Sequence, residues 1–568
     1  MTDITHQDLD EKLIEKNIED NLWYKDAVFY EVHVRTYYDS NGDGIGDFKG
    51  LTQKLDYIQN LGVDCIWLLP FFPSPLRDDG YDVSDFYNIH PDLGTINDFK
   101  TFTQEAHSRG LRVISDMVFN HVSSDHEWFQ ESRNSVDSEK RDWFVWSDDN
   151  TKLENIRIIF SDTEISNWTW DPVAGQYFWH RFYSNQPDLN YDNPDVRNEI
   201  KNVISFWMDQ GLDGMRCDAV PYLFEREGTQ GENLPETHQF FKEVREMMDE
   251  KYPGKILLAE ANQSSEETMK YFGDAMGNEF HMAFNFPLMP RIFLSLAKKD
   301  RTAIVDILEQ TKHIPVLSQW ATFLRNHDEL TLEMVTDEER DFMYLEYAKN
   351  PKMKLNLGIR RRLAPLVDND RLTMELLTAL ILTLPGSPVI YYGDELGMGD
   401  NLFLGDRNGV RTPMQWSSDQ NGGFSIADPE NCYLPPITNP AYHYETLNVR
   451  TSENMPYSYL NWVKTRLKVR RKTKAFGRGT MEILNPDNKA ILAFIREYED
   501  DTVLCIYNLS RRAQYCELDL SAYKGLNLFE MNGEVVFPKV GESKYFFTMT
   551  GHRFFWFHIS KEKIESEF

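Results

Sequence analysis

The sequence predicts an α/β fold: a closed parallel (β/α)8 barrel, or TIM barrel, with a small domain inserted after its third strand and an antiparallel β-sandwich at its C-terminal end. Three observations support it. Apolar, β-rich runs alternate with amphipathic helical stretches from the start of the chain. Two connections are too long for ordinary strand–helix loops. Beyond residue 477, helical periodicity gives way to short apolar or alternating segments separated by turn residues.

The eight strand candidates are AVFYEVHV (27–34), CIWLLP (65–70), RVISDMV (112–118), GMRCDAV (214–220), ILLAEA (256–261), FHMAFNF (280–286), ATFLRNHD (321–328) and SPVIYYGDE (387–395). Between the first two, residues 48–62 place Leu51, Leu55, Ile58 and Leu61 on one helical face, and Gly62 closes that helix. Residues 98–110 and 195–211 repeat the scheme, each ending in glycine. Eight such alternations fit a closed barrel better than an open sheet, with functional groups on the loops that follow the strands. The catalytic barrel is expected to take residues 1–120 and 191–477. The Trp- and Asp-rich segment 121–190 reads as the inserted domain, overhanging the barrel mouth. Residues 331–372, after the seventh strand, read as a charged helical insertion, and 478–568 as the sandwich.

A chain of 568 residues with 41% hydrophobic content can bury a large core. Its formal charge of −31 opposes nucleic acid or an anionic membrane as partner; solubility is the bland reading of that charge. The polar, acidic N-terminus has no apolar h-region, and no run of about 18 apolar residues occurs. The five cysteines form no metal spacing, and Cys65 and Cys217 lie in strand-like runs where reduced, buried thiols are the default. A cytoplasmic location is expected.

Three carboxylates fall at the C-terminal ends of strand candidates: Asp218 after the fourth, Glu260 after the fifth and Asp328 after the seventh. A structural ion pair or helix cap explains any one of them, but three at such ends, each with a polar escort, point to catalysis. Arg216 projects to the same side of its strand as Asp218 and would keep that carboxylate ionised and oriented. Glu260 follows the apolar ILLA, an approach that should raise its pKa and leave it protonated as a general acid. His121 and His327 could donate to sugar hydroxyls. DSNGDGIGD (39–47) sets side-chain oxygens at Asp39, Asn41, Asp43 and Asp47 with the Ile45 carbonyl between them, a hard-cation pattern for calcium or magnesium. It lacks the twelfth-position Glu of an EF-hand, and a solvated acidic turn is the alternative.

DMVFNH (116–121), GMRCDAV (214–220), LLAE (257–260) and FLRNHD (323–328) resemble, in order, the four core motifs of the α-amylase superfamily of glycoside-active barrels. The likeness extends over nearly the whole chain. It implies Asp218 as nucleophile, Glu260 as acid/base and Asp328 as transition-state stabiliser, with Arg216, His121 and His327 contacting substrate. QPDLN (186–190), DDGYDVSDF (78–86) and GVRTPMQW (409–416) resemble the oligo-1,6-glucosidase branch. They imply that Tyr81 stacks on the non-reducing glucose while Asp82 and Arg411, as one charged pair at the pocket floor, bind its far hydroxyls. Ala219 is similar to members that handle α-1,4 links.

Within that branch, residues 23–51, 70–85, 158–194 and 326–335 are similar to members that interconvert maltose and trehalose. The activity implied is a reversible intramolecular isomerisation by retaining double displacement through a covalent β-glucosyl enzyme, with minor hydrolysis to glucose. Tyr222, Glu329 and Glu333 are implied as a lid. A retaining α-glucosidase acting on maltose, sucrose or short α-glucosides is the alternative. A non-catalytic barrel of the transporter heavy-chain kind fits poorly, because every catalytic carboxylate is present. The resemblance also implies a second calcium held by Asn120, Asp188, Tyr222, Leu223 and Glu225. No organic cofactor and no kinase-like extension are expected. The expected partner is a disaccharide, maltose or trehalose, with neither nucleic acid nor membrane, and a homodimer or larger homo-oligomer is left open.

Overall fold

The computed structural model describes residues 21–533 and 535–561; the N-terminal 1–20, with its lack of an h-region, lies outside them, as do 562–568 of the C-terminal segment. Eight parallel strands close into a barrel in chain order, the first pairing with both the second and the last. They are Phe29–Val32, Cys65–Leu68, Arg112–Val118, Gly214–Asp218, Ile256–Ala259, Met282–Phe284, Gln319–Phe323 and Ser387–Tyr391. All eight lie within or overlap their sequence candidates. The seventh stops at Phe323, so Leu324–Asp328 form loop, not strand. That loop carries His327 and Asp328 away from the strand axis and over the barrel mouth.

Local chemistry explains the element ends. The helix expected over 48–62 is two pieces, Phe48–Gln53 and Leu55–Leu61, with Gly62 ending the second in a left-handed conformation (φ 95°). At Gly50 a Cβ would sit 2.0 Å from the Tyr38 carbonyl oxygen, so only glycine lets this helix pack on the preceding loop. Thr95 and Asp98 form a reciprocal capping box on Ile96–Ser108. Asn193 caps Pro194–Asp209, with proline at its first turn.

After the third barrel strand the chain leaves to form helix Glu127–Asn134 and a three-stranded antiparallel sheet, Trp146–Ser147, Gln176–Trp179 and Trp168–Asp171, with the second in the middle. Ile156, Trp168 and Trp179 give it a small core of its own. Bridges pairing His121 with Asp188 and Phe144 with Leu189 tie its neck together. The segment 331–372 corrects the helical expectation. Helix Asp337–Tyr347 is present, but Leu330–Thr331, Gly358–Ile359 and Lys354–Leu355 form a three-stranded antiparallel sheet beside it. Strands this short have no readable period, so charge pattern alone favoured helix.

The C-terminal region packs a six-stranded antiparallel sheet against the pair Gln514–Leu518 and Tyr545–Met549. In Ile491–Tyr498, Ile491, Ala493 and Ile495 fill the sandwich while Leu492 and Phe494 belong to the barrel's core, which is why the run AILAFI shows no alternation. Arg496 shares the barrel-facing side. Its buried guanidinium donates to the carbonyls of Thr383, Gly479 and Thr480, joining barrel to sandwich without a carboxylate.

Candidate active site

One guanidinium organises the centre of the mouth. Arg216 lies two residues before the end of the fourth strand, so it projects to the same side as Asp218. Its Nη1 contacts Asp218 Oδ1 and Asp116 Oδ1, each at 2.6 Å, and its Nη2 contacts Glu260 Oε1 at 2.7 Å. Asp116 stands in register with Arg216 on the neighbouring third strand. Glu260 directly follows the fifth strand, and its Oε2 accepts the Ala219 amide at 3.1 Å. That amide points there because Ala219 takes a left-handed backbone (φ 51°).

Burial pushes the Asp218 carboxyl up to about 6, even though Arg216 opposes the shift. Glu260 is pushed up to about 7 by burial, with Arg216 again opposing and Asp218 adding to the rise. The apolar approach to Glu260 thus acts as the sequence suggested. For Asp218, burial outweighs the neighbouring charge that was expected to dominate.

Asp328 has the opposite electrostatics. Burial alone would raise its pKa, but His327, Arg407 and Arg411 hold it well below the usual carboxylate range. His327 Nε2 lies 3.0 Å from Asp328 Oδ2; Arg407 Nε and Arg411 Nη2 lie 3.0 and 3.1 Å from Oδ1. Tyr81, its ring nearly parallel to His327 (9° between planes), donates to Asp116 Oδ2 at 2.8 Å. His121 lines the same cavity. Burial depresses it to about 3, so it is neutral there, 3.1 Å from the Tyr81 carbonyl.

Asp82 is a correction. Besides Asp328, the acid that pairs with Arg411 is Asp79, whose Oδ2 is 2.9 Å from Nη1; Asp79 also contacts His33 at 3.3 Å. Asp82 instead accepts Ser74 Oγ at 2.7 Å and the Arg77 amide at 3.0 Å, bracing its own loop. Asp78, absent from the sequence reading, lines the cavity, and burial pushes it up to about 7. DDGYD offers three acids within five residues. Which one faces inward depends on left-handed turns at Asp79 and Gly80 that no periodicity reports.

Tyr222, Glu329 and Glu333 all line the cavity, beside two sets of ion pairs the sequence did not reveal. Arg157 of the inserted domain contacts Glu232 at 2.7 Å and Glu333 at 3.4 Å. Arg181 reaches Glu232 at 2.8 Å and lies over the Tyr222 ring. Glu329 binds Arg407 at 2.9 Å and Asn356 at 3.0 Å. Three segments distant in sequence therefore clasp across the mouth.

A family model described as "Alpha amylase, catalytic domain" matches residues 31–479. The chain belongs to the α-amylase family. A second model, "Maltogenic Amylase, C-terminal domain", covers 481–556 of this α-amylase family member. It is 56% identical to "Trehalose synthase/amylase TreS" of Mycolicibacterium smegmatis over 95% of this chain and 93% of that one. A "Trehalose synthase" of Pimelobacter sp. is 54% identical over 95% of this chain and 96% of that one. Among solved structures, an α-glucosyl transfer enzyme, XgtA, superposes with a TM-score of 0.78 at 27% identity, covering 95% and 99% of the two chains. A trehalulose synthase mutant gives 0.76 at 27% identity, over 95% and 100%.

The two cation expectations differ in how their oxygens are partnered in this α-amylase family enzyme. In the loop 39–47 every carboxylate oxygen already accepts a hydrogen bond. Asp39 takes the amides of Asn41, Gly42 and Gly44 and the Ser425 hydroxyl. Asp43 takes the Ile45 amide and Asn41 Nδ2, and Asp47 caps its helix and binds Ser40. Among the described residues no group of three or more His, Cys, Asp or Glu side chains is arranged to hold a metal. The second set, which mixes two acids with an amide and carbonyls, does fit a cation by its orphaned atoms. Asn120 Oδ1, Asp188 Oδ2 and Glu225 Oε1 are all buried without a hydrogen-bond partner among the described residues. Burial pushes Asp188 up to about 8, and it raises Glu225 well above its usual value with Asp188 adding to the rise.

The Asp79–Arg411 assignment makes a measurable prediction. In double-mutant cycles on stability, Asp79→Asn with Arg411→Met should show a coupling of about 1.5 kcal/mol or more, as for a buried pair. The Asp82→Asn cycle with Arg411→Met should be additive within roughly 0.5 kcal/mol. Strong coupling to Asp82 would restore the original pairing.

Proposed function

We propose that this enzyme interconverts maltose and trehalose by a retaining double displacement. The observation that carries the reading is that one guanidinium, Arg216, holds both Asp218 and Glu260, at 2.6 and 2.7 Å from its two terminal nitrogens, which supports the close pair of carboxyls that retaining chemistry uses. In this mechanism Glu260 donates its proton to the glycosidic oxygen while Asp218 attacks the anomeric carbon and the C–O bond breaks. Asp328, ionised by its three cationic neighbours, stabilises positive charge developing on the sugar ring. The freed glucose turns and offers its anomeric hydroxyl. Glu260, now a carboxylate, removes that proton as the new bond forms and the ester to Asp218 breaks. The clasp of Arg157, Glu232 and Glu333 slows escape of glucose and entry of water, so isomerisation outruns hydrolysis and a little glucose is lost. The names of the relatives support this choice of sugars.

The direct test is maltose conversion in the presence of isotopically labelled free glucose. Trehalose from the parent enzyme should carry little label. Glu333→Ala should release more glucose per trehalose formed and admit more label, and Asp218→Asn should abolish turnover of both sugars. Heavy labelling with the parent enzyme would show that glucose leaves and returns, and the closed route would have to be abandoned. Glucose as the main product would assign hydrolysis instead.

The pH profile follows from the two carboxyls. Asp218 must be deprotonated, which is satisfied as pH rises through about 6; Glu260 must be protonated, which is lost above about 7. The profile of kcat/KM for the free enzyme should therefore be a narrow bell between those values. A flat profile from pH 5 to 9 is incompatible with these roles.

We further propose that a hard cation occupies the site of Asn120, Asp188 and Glu225, with the Tyr222 and Leu223 carbonyls completing it. The cation would neutralise the two buried carboxylates and pin the neck of the inserted domain. Chelator should lower Tm and calcium restore it, and Glu225→Gln should remove that response while Asp43→Ala keeps it. A melting temperature indifferent to chelator in the parent protein overturns the proposal. Among the described residues no helix is long and apolar enough to cross a membrane. A cytoplasmic location belongs to the same proposed reading.

A further inference from the structure

Glu31 belongs to none of the sequence motifs that carry the catalytic carboxylates. It sits on the first barrel strand, is fully buried and projects into the barrel beneath the mouth. Its Oε1 is 2.5 Å from His327 Nδ1 and also accepts the His327 backbone amide at 3.2 Å. A carboxylate can only accept, so Nδ1 must donate. On the other side of the ring, Nε2 lies 2.7 Å from the Tyr81 hydroxyl and 3.0 Å from Asp328 Oδ2. An Nε2 that carries a proton can donate to either of these. The Tyr81 hydroxyl is then free to give its own proton to Asp116 Oδ2, and Asp116 in turn receives Arg216. One continuous hydrogen-bond chain therefore runs from Glu31 through His327, Tyr81, Asp116 and Arg216 to Asp218 and Glu260.

We infer that Glu31 is a positioning residue: from beneath the site it holds His327 as an imidazolium and so fixes the donor direction of the whole chain. This rests on the catalytic roles proposed above. Were His327 neutral with its proton on Nδ1, Nε2 would accept from Tyr81. Asp116 would lose that donor, and Asp328 would lose a charged one. The groups facing His327 agree with the charged form. Burial disfavours it, yet Asp328 and Glu31 together push His327 up to about 10. Tyr81 and Asp116 lie on its other side, and Arg411 donates to its backbone carbonyl at 3.0 Å. Among the described residues Glu31 Oε2 has no hydrogen-bond partner, so the contacts of this carboxylate are those to His327.

The test separates charge from shape. Glu31→Gln keeps an acceptor oxygen in the same place and removes the charge. With 15N-labelled histidine, and His327→Gln to assign the signal, the parent protein should show both ring nitrogens of His327 protonated up to about pH 9. In Glu31→Gln the proton should leave at least about one pH unit lower. Turnover should split the same way, kcat at pH 9 falling about twofold or more with little change at pH 6 and KM nearly constant. Glu31→Asp, which keeps the charge at longer range, should lie between, and it serves as the second variant if Glu31→Gln does not fold. An unchanged His327 titration, or equal losses at both pH values, overturns the inference. The spectroscopic measurement needs no substrate, so a failure of the maltose–trehalose reading would leave it standing and be seen separately in the product analysis.

Discussion

The site depends on a shortage of positive charge around Arg216. Three buried carboxylates share one guanidinium, and a guanidinium cannot neutralise all of them in a low-dielectric setting. The deficit appears as proton affinity. Asp116, Asp218 and Glu260 are all pushed up, to about 6, 6 and 7, burial being the main cause in each. Across the cavity the balance is different, because Asp328 meets three cationic groups, His327, Arg407 and Arg411, which it shares with Glu31, Glu329 and Asp79. One half of the site can hold and release a proton near neutral pH, and the other half stays ionised. Neither half is a property of a single residue.

The barrel makes this asymmetry possible by bringing distant segments to one end. Strands one, three, four and five deliver Glu31, Asp116, Arg216 with Asp218, and Glu260, and the loop after strand seven delivers His327 and Asp328. The rim is built differently. Arg157, Glu232, Glu333 and Arg407 come from long excursions that leave the barrel and return. The pairs of Arg157 are partly solvated and individually weak, whereas Arg407 and Glu329 are buried together.

Much of this is legible in the sequence, for identifiable reasons. Eight apolar runs with intervening amphipathic helices encode the barrel, and a carboxylate at the end of such a run is costly to desolvate unless the site uses it. Asp218, Glu260 and Asp328 are found that way, and Arg216 follows from strand alternation. What escapes is anything set by turn geometry or by long-range meeting. Asp79, not Asp82, reaches Arg411 because of left-handed residues inside DDGYD. The sheet within 331–372 rests on two-residue strands too short to show a period. Glu31 sits in an apolar strand where a lone acid carries no label until His327, 296 residues away, is seen against it. Arg407, in a loop of mixed composition, offers no signal at all.

The left-handed turn at Ala219 limits how this active site could change over generations. A residue with a Cβ at φ 51° bears a cost of about 1 kcal/mol, and a β-branched one bears more. The turn is what aims the Ala219 amide at Glu260, so it cannot relax without disturbing that carboxyl. Valine at this position, one codon step from alanine, would strain the turn and crowd a wall of the cavity in the same stroke. A change to a β-branched residue at 219 would first need stability in reserve from elsewhere in the fold. The step is short in sequence and steep in free energy.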